Sequence, residues 1–545
     1  MTTERACDAL AVLVLTVVGV LAAATFRDYG LSWDDYTHSQ YGDLLLRLYA
    51  SGLSDRRALS FVNLYYYGGG FDLLAAAAAK VLPFTLFETR RIMGATVGII
   101  GLAATWRAGR RTGGPLAGLV ALVLLSACPL YYGHMFMNPK DAPFAVAMAL
   151  LLLASLRALD EYPRPSLWTG VLLGAAAGLA FGSRVMGAFG GLELLAALGF
   201  ILIAETRAVG WFKAGRSLWK FIVPLLPGMV VAYAVMVLVW PWAEADPRNP
   251  FRAVEYFSRF FEKPWSESFA GVVTPVTDMP RSYVPTLFAL KLPGVFSVLA
   301  LVGTVRALVL AGKREIPLGR RAALLLIVLA AFLPPATAVA LRPAMYNGIR
   351  HFLFILPPLA VLGGLAAAWL ADAARAFLIP RAAGLARGPV LVTALGTLLV
   401  LGLAAPVIGM VQLHPYEYSY FNGFAGGVKG ARGHYMVDYW GLSLKQVSQA
   451  LLSWLAQRRE STPGGRRWRV AVCGPHRSPE VELGPDFEIT WDPQGADFAM
   501  MLGEYYCKTF DAPLVAEVTR AGLVYARVYD IRGRSYGTLL TRPGL

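Results

Sequence analysis

Phe71-Asp72-Leu73-Leu74-Ala75-Ala76-Ala77-Ala78-Ala79-Lys80-Val81-Leu82 is the stretch on which the topology turns. It is apolar, and apolar runs dominate the chain, so it invites counting as a membrane crossing. It is only about a dozen residues, whereas a helix needs about 20 to span a hydrocarbon core of roughly 30 Å. It also carries Asp72 and Lys80. A helix lying in the membrane surface fits that length and charge better than a crossing.

Loop charge tests the choice. The clear apolar runs begin near Ala9, Ile92, Pro115, Ala142, Leu167, Val185, Phe221, Thr286, Ala322, Phe352 and Val390, about eleven spans. With Phe71–Leu82 left out, Arg107, Arg110 and Arg111 fall in one cytoplasmic loop. Lys213, Arg216 and Lys220 fall in the next, then Lys313, Arg314, Arg320 and Arg321, then Arg375, Arg381 and Arg387. Cytoplasmic loops carry the excess of Lys and Arg. Counting Phe71–Leu82 as a crossing would move these clusters outside. The pattern therefore predicts a cytoplasmic N-terminus and an extracytoplasmic C-terminus. The run Ala9–Phe26 follows a short head containing Arg5 and lacks a convincing cleavage site, so it reads as a signal-anchor helix.

Composition agrees. Of 545 residues, 56% are hydrophobic and 16% charged, against about 25% charged in soluble chains. Mean hydropathy is +0.52. The net charge of +15 belongs to cytoplasmic loops, and no basic stretch alternates with aromatics as a base-stacking surface would. No nucleic-acid partner is expected. Cys7 and Cys128 lie in the membrane part, and Cys473 and Cys507 in the polar tail. No CxxC or Cys/His cluster suggests zinc. Cys473 and Cys507 share an exported segment, where oxidation is favoured, and are expected to pair.

The tail from about Gln412 has its own grammar. Leu442–Arg458 has helical periodicity. Short β-rich runs follow at Trp468–Cys473, Phe487–Trp491, Phe498–Leu502 and Leu514–Val528, the last with a turn at Ala521-Gly522. The expected fold is an all-α polytopic membrane domain of about eleven helices, residues 1–411, with a small C-terminal α/β extracytoplasmic domain, residues 412–545.

Candidate chemistry gathers on the outside. The first outer loop holds Ser32-Trp33-Asp34-Asp35-Tyr36 just past the first span. Carboxylates beside hydrocarbon are costly and usually have a role, and a buried one with a raised pKa serves as a general base. The plain alternative is that Asp34 and Asp35 cap a helix over Tyr36–Leu48. Asn138-Pro139-Lys140-Asp141 is a second acidic site on the same face, and Asp141 has the same alternative as a cap. Cations also stand on the disfavoured side: Arg90 and Arg91 open the second span, Arg184 sits in the turn Gly182-Ser183-Arg184, and Arg350 and His351 open the tenth span. Arginine grips phosphate oxygens in pairs and keeps its charge. Snorkelling to lipid headgroups is the alternative for each, but explains their accumulation outside less well.

The order of these motifs resembles the GT-C superfamily that includes protein O-mannosyltransferases and the lipid A aminoarabinose transferase. The resemblance rests on Trp33-Asp34-Asp35-Tyr36, Arg90-Arg91-Ile92-Met93-Gly94 and Asn138–Asp141, in that order and spacing. In the tail, His414-Pro415-Tyr416-Glu417-Tyr418-Ser419-Tyr420-Phe421-Asn422 and Asp438-Tyr439-Trp440-Gly441 resemble bacterial members. The family's acidic pair is commonly Asp-Glu; here it is Asp-Asp. The resemblance implies inverting transfer of a hexosyl or pentosyl unit from a polyprenyl-phosphate carrier to a glycan, lipid or protein acceptor. Asp34 would be the base, with Asp35 beside it, and Asp141 would position acceptor or base. Arg90, Arg91, Arg184 and Arg350, with Lys140, would hold the donor phosphate. No cofactor is expected and no metal is assigned, although paired acids are able to bind a divalent ion. Gly68-Gly69-Gly70 lacks the Lys-Ser/Thr of a nucleotide-binding loop. Membrane lipids are the other expected partners, and a bacterial inner membrane the expected location. A transporter or glycolipid flippase would share the spans and outer charges, but two matching halves and mid-membrane ionisable residues are not evident.

The termini are predicted to lie on opposite faces. A reporter fused after Leu545 should be active only in the form that works outside the cytoplasm; cytoplasmic activity there would reverse the reading of Phe71–Leu82.

Overall fold

The computed structural model describes residues 3–258, 265–378 and 387–539; Arg381 and Leu545 lie outside them. Among the described residues, nine helices are long and apolar enough to cross a membrane, and Leu167–Ser183 is a shorter apolar one. One of the nine, Leu86–Ser126, is a hairpin. It opens on a capping box, with Thr85 Oγ1 accepting from the Glu88 amide and Glu88 returning the bond to the Thr85 amide. At Gly114, φ is 84°, a turn that glycine makes without strain, and Pro115 follows. The two arms then run back along each other, with Gly109 against Ala121 and Gly118 against the Trp106 carbonyl. Counting its arms separately and adding Leu167–Ser183 gives the eleven apolar segments read from the sequence. The chain is a multi-span membrane protein.

Small residues let helices close on one another where no hydrophobic force separates protein from lipid. Gly170, Gly174 and Gly178 form one such stripe, and a Cβ on Gly174 would lie 1.9 Å from the Gly228 carbonyl. That contact draws Leu167–Ser183 against Leu226–Val239.

One expectation needs correction and another gains detail. The run near Thr286 is not one span: Tyr283–Lys291 is a separate short helix, broken at Leu292-Pro293, and the apolar span is Gly294–Gly312. Proline removes the amide that would continue the first helix. The surface segment Phe71–Leu82 is a short helix, Gly70–Ala78. It does not merely float at the interface, since Asp72 is 2% exposed.

Two β-structures stand outside the bundle. A hairpin, β1 (Ser266–Phe269) against β2 (Val272–Pro275), was not foreseen; its strands are only four residues each. The tail forms a five-stranded sheet in the order β4-β3-β5-β7-β6. Its strands are β3 (Trp468–Cys473), β4 (Phe487–Thr490), β5 (Phe498–Leu502), β6 (Leu514–Arg520) and β7 (Leu523–Asp530). β3 pairs in parallel with β4 and β5, and β7 is antiparallel to β5 and β6. The β6–β7 turn falls at Ala521-Gly522, both with positive φ. Helix Leu444–Arg458 covers the sheet.

The tail is tied to the loop that follows the first helix. Tyr29 donates to Glu417 at 3.0 Å, and Lys445 donates to the Arg27 carbonyl at 2.6 Å. A Cβ on Gly30 would meet the Leu442 carbonyl at 2.4 Å, so this approach requires glycine.

Cys473 and Cys507 form a disulfide, while Cys7 and Cys128 are buried free thiols. Maleimide labelling of the denatured, unreduced protein should therefore modify Cys7 and Cys128 alone, and all four after reduction. Labelling of Cys473 or Cys507 before reduction would contradict the pairing.

Candidate active site

The chain turns from the first span into helix Asp35–Ala50 with Asp34 at its N-cap position. The capping alternative fails for Asp34: its side chain makes no cap hydrogen bond. Instead it lies 2.7 Å from Lys140 Nζ, with 29% of the side chain exposed. Burial alone would raise its pKa. Lys140, Arg350 and His38 outweigh burial and hold it down at about 2. The raised pKa expected of a general base is thus reversed in the resting site. On Lys140, burial lowers the pKa, but the facing Asp34 carboxylate makes the net shift upward.

Lys140 is followed by Asp141, which opens helix Asp141–Asp160. Its carboxylate is a junction. Arg184 Nη1 lies 2.5 Å from one oxygen, and Arg350 Nη1 donates to the other at 2.6 Å. Asn138 donates to Asp141 at 2.9 Å and accepts from its amide at 2.7 Å. Aromatic faces back the cations. Arg184 stands over Tyr67 at 5.3 Å, and Arg350 over Tyr346 at 4.8 Å and Trp440 at 5.3 Å. His351 meets the Tyr346 ring edge-on at 4.9 Å. Arg184 Nε, Arg350 Nε and His351 Nδ1 are buried without a hydrogen-bond partner among the described residues.

The other predicted site residues form a second, closed network. Asp35, 1% exposed, takes a two-pronged grip from Arg91 at 3.0 and 2.8 Å, and also accepts from the Ser32 amide and hydroxyl. Arg91 gives a further bond to the Gly30 carbonyl at 2.6 Å. Arg90 donates to Asp72 at 2.6 Å, and Asp72 also meets His38 Nδ1 at 2.7 Å. On Asp72, burial is outweighed by His38 and Arg90, and its pKa is lowered. The structure therefore joins Asp34, Lys140, Asp141, Arg184 and Arg350, and sets Asp35, Arg90 and Arg91 apart as a buried brace.

Sequence reading missed His38 and Tyr67 as parts of the site. It noticed Asp72 only as an odd charge in an apolar run, which was the available signal for a buried partner. Trp440 was noted for its motif, not for a place beneath Arg350. Among the described residues no group of three or more His, Cys, Asp or Glu side chains is disposed to hold a metal.

Residues 71–242 match the family described as dolichyl-phosphate-mannose-protein mannosyltransferase. The oligosaccharyltransferase of Archaeoglobus fulgidus, solved tethered to an acceptor peptide, aligns at TM-score 0.50 and 13% identity. That alignment covers 89% of this chain and 64% of that one. The fold is the GT-C fold. The motif order implied the same fold. ArnT from Cupriavidus metallidurans, solved bound to undecaprenyl phosphate, aligns at TM-score 0.47 and 16% identity, covering 96% of this chain and 97% of that one. This chain spans less than two thirds of the length of the archaeal enzyme, 62% of its apo form. No curated protein sequence matches it.

The two networks predict opposite outcomes for neighbouring aspartates. Arg91→Ala strands the buried Asp35 carboxylate and should cost about 3–5 kcal/mol. Asp34→Asn acts on a pair that keeps some solvent contact, 29% of the Asp34 side chain and 13% of Lys140, and the amide oxygen can still accept from Lys140, so it should cost less. Thermal unfolding of the two variants in detergent should show a large loss for the first and a clearly smaller one for the second; equal losses would contradict the division.

Proposed function

We propose that this chain transfers a sugar from a polyprenyl-phosphate carrier to a hydroxyl of a glycan, lipid or protein acceptor on the extracytoplasmic face. The observation that carries this reading is a surplus of cations. Among the described residues, the carboxylates paired with Lys140, Arg184 and Arg350 are Asp34 and Asp141 alone, and donors remain unused there. A phosphate that gains charge as its sugar leaves is the group such a surplus serves. The family matched over residues 71–242 takes its name from a lipid-phosphate sugar, which supports the donor class.

The chemistry follows from the charges. The acceptor oxygen attacks the anomeric carbon opposite the phosphate, the sugar–phosphate bond breaks, and its electrons pass to the phosphate. Configuration inverts. The acceptor proton passes to Asp34. With its pKa near 2 in the resting site, Asp34 is always ionised but weakly basic. A donor phosphate competing for Lys140 would loosen the ion pair and raise the basicity of Asp34 only when the donor is present. Asp141 acts as a positioning residue, holding Arg184 and Arg350 toward the phosphate. Asp35, Arg90 and Arg91 brace the loop that carries Asp34. Residues 1–411 would be the catalytic membrane domain and 412–545 an extracytoplasmic domain that supports Arg350 through Trp440.

The assay is transfer of labelled sugar from polyprenyl phosphate by purified protein. Asp34→Asn should keep the fold and lower turnover about 10²-fold or more. Arg350→Gln should weaken the transition-state interaction with phosphate. Near-normal turnover in Asp34→Asn would remove Asp34 as the base.

The pH profile gives a second check. Because the folded pKa of Asp34 is depressed, its carboxylate persists as pH falls through the range where ordinary carboxylates protonate. kcat/KM, which reports the free enzyme, should show no acid limb from Asp34 down to about pH 4. Lys140→Met removes the largest cationic influence on Asp34 and should bring such a limb into view. Identical acid limbs in the two proteins would contradict the coupling of Lys140 to Asp34.

A further inference from the structure

A second cavity lies far from this site. It occupies about 720 Å³ between the helices of Leu86–Ser126, Asp141–Asp160, Leu167–Ser183 and Leu226–Val239, within the usual range of ligand pockets, about 300–1,000 Å³. Its rim is formed by Arg107, Arg110, Arg111, Arg157 and Asp160. Arg107 stands roughly 25 Å along the helix from Arg91, at 1.5 Å per residue. The cavity is therefore at the opposite end of the bundle and independent of the proposed reaction.

Its lining is divided by chemistry. Three of the rim arginines have carboxylate partners: Arg110 donates to Asp8 at 2.7 and 2.8 Å, Arg111 to Asp160 at 2.7 Å, and Arg157 to Glu161 at 3.1 Å. Arg107 is exposed, rests against Trp106 and has no ion pair among the described residues. Beyond the rim the walls are apolar, including Leu153, Leu172, Leu179 and Val235. From Asp160 to Leu150, the depth is about 15 Å along the helix, half of a hydrocarbon core of roughly 30 Å. A free phosphate would satisfy the rim and leave the apolar depth empty. A lipid of one leaflet fills both.

We infer that this crevice binds one anionic phospholipid from the leaflet opposite the active site, its phosphate at Arg107 and an acyl chain between Leu153, Leu172 and Val235. Anionic lipids concentrate on the cytoplasmic leaflet, where basic residues attract them, which agrees with the loop-charge topology.

The test uses full-length protein, stripped of lipid in neutral detergent and titrated with dioleoyl phosphatidylglycerol or dioleoyl phosphatidylethanolamine, with bound lipid counted by native mass spectrometry. One phosphatidylglycerol should be retained per chain in preference to phosphatidylethanolamine, and inorganic phosphate should not displace it. Arg107→Glu should weaken retention about tenfold or more, the scale of a lost charge-assisted bond. Ala175→Phe, which places a ring in the cavity wall, should weaken it while leaving the rim intact. Equal retention of the two lipids, displacement by phosphate, or retention unchanged in both variants would overturn the inference. Sugar transfer does not enter the readout, so failure of the proposed reaction would leave this result standing.

Discussion

The Asp141 carboxylate is the point to which one end of the bundle is tied. It opens one helix, while its two arginine partners come from the turn after Leu167–Ser183 and from the start of the Arg350 segment. A charge taken from water into such a site is tolerated only when paired and hydrogen-bonded. Neither arginine is then free to withdraw, and Lys140, adjacent in sequence, is held where it meets Asp34. The same requirement explains the second network. Arg91 can be buried because Asp35 is there, and Arg90 because Asp72 is there. Charge compensation thus ties the loops at this end of the bundle to one another.

This arrangement involves the tail directly. Trp440, 1% exposed, lies beneath Arg350, and the neighbouring Tyr439 hydroxyl meets His134 Nε2 at 3.0 Å. Asp438 is held by Tyr418 and Ser443, and Glu504 from the sheet region accepts from the Val437 and Asp438 amides. Buried, hydrogen-bonded carboxylates of this kind specify one docking geometry. The tail therefore completes the site from behind.

Legibility in the sequence followed the range of the interaction. Spans, the short helix at Gly70–Ala78 and the tail strands are written in local patterns: run length, loop charge and alternation. Trp468–Cys473 and Phe498–Leu502 were read with the observed bounds. The break at Leu292-Pro293 was missed because apolar residues continue on both sides. For the site, residue type and a shared end of the bundle were legible, since charges at hydrocarbon are rare. Partners were not. That Arg91 would meet Asp35 across 56 positions and Arg350 would meet Asp141 across 209 depends on helix packing that no local pattern records. Asp34 and Asp35 are adjacent and of one type, yet one faces Lys140 and the other Arg91.

The functional reading thus rests on a pair that is closed in the resting protein. Asp34 and Lys140 neutralise each other at 2.7 Å, and a phosphate that reaches Lys140 has to compete with Asp34 for it. The most direct measurement is a structure of the full-length protein with polyprenyl phosphate bound. The account predicts phosphate oxygens within hydrogen-bonding distance of Lys140 and Arg350, with the Asp34–Lys140 pair opened. Phosphate bound elsewhere, with that pair intact, would contradict it.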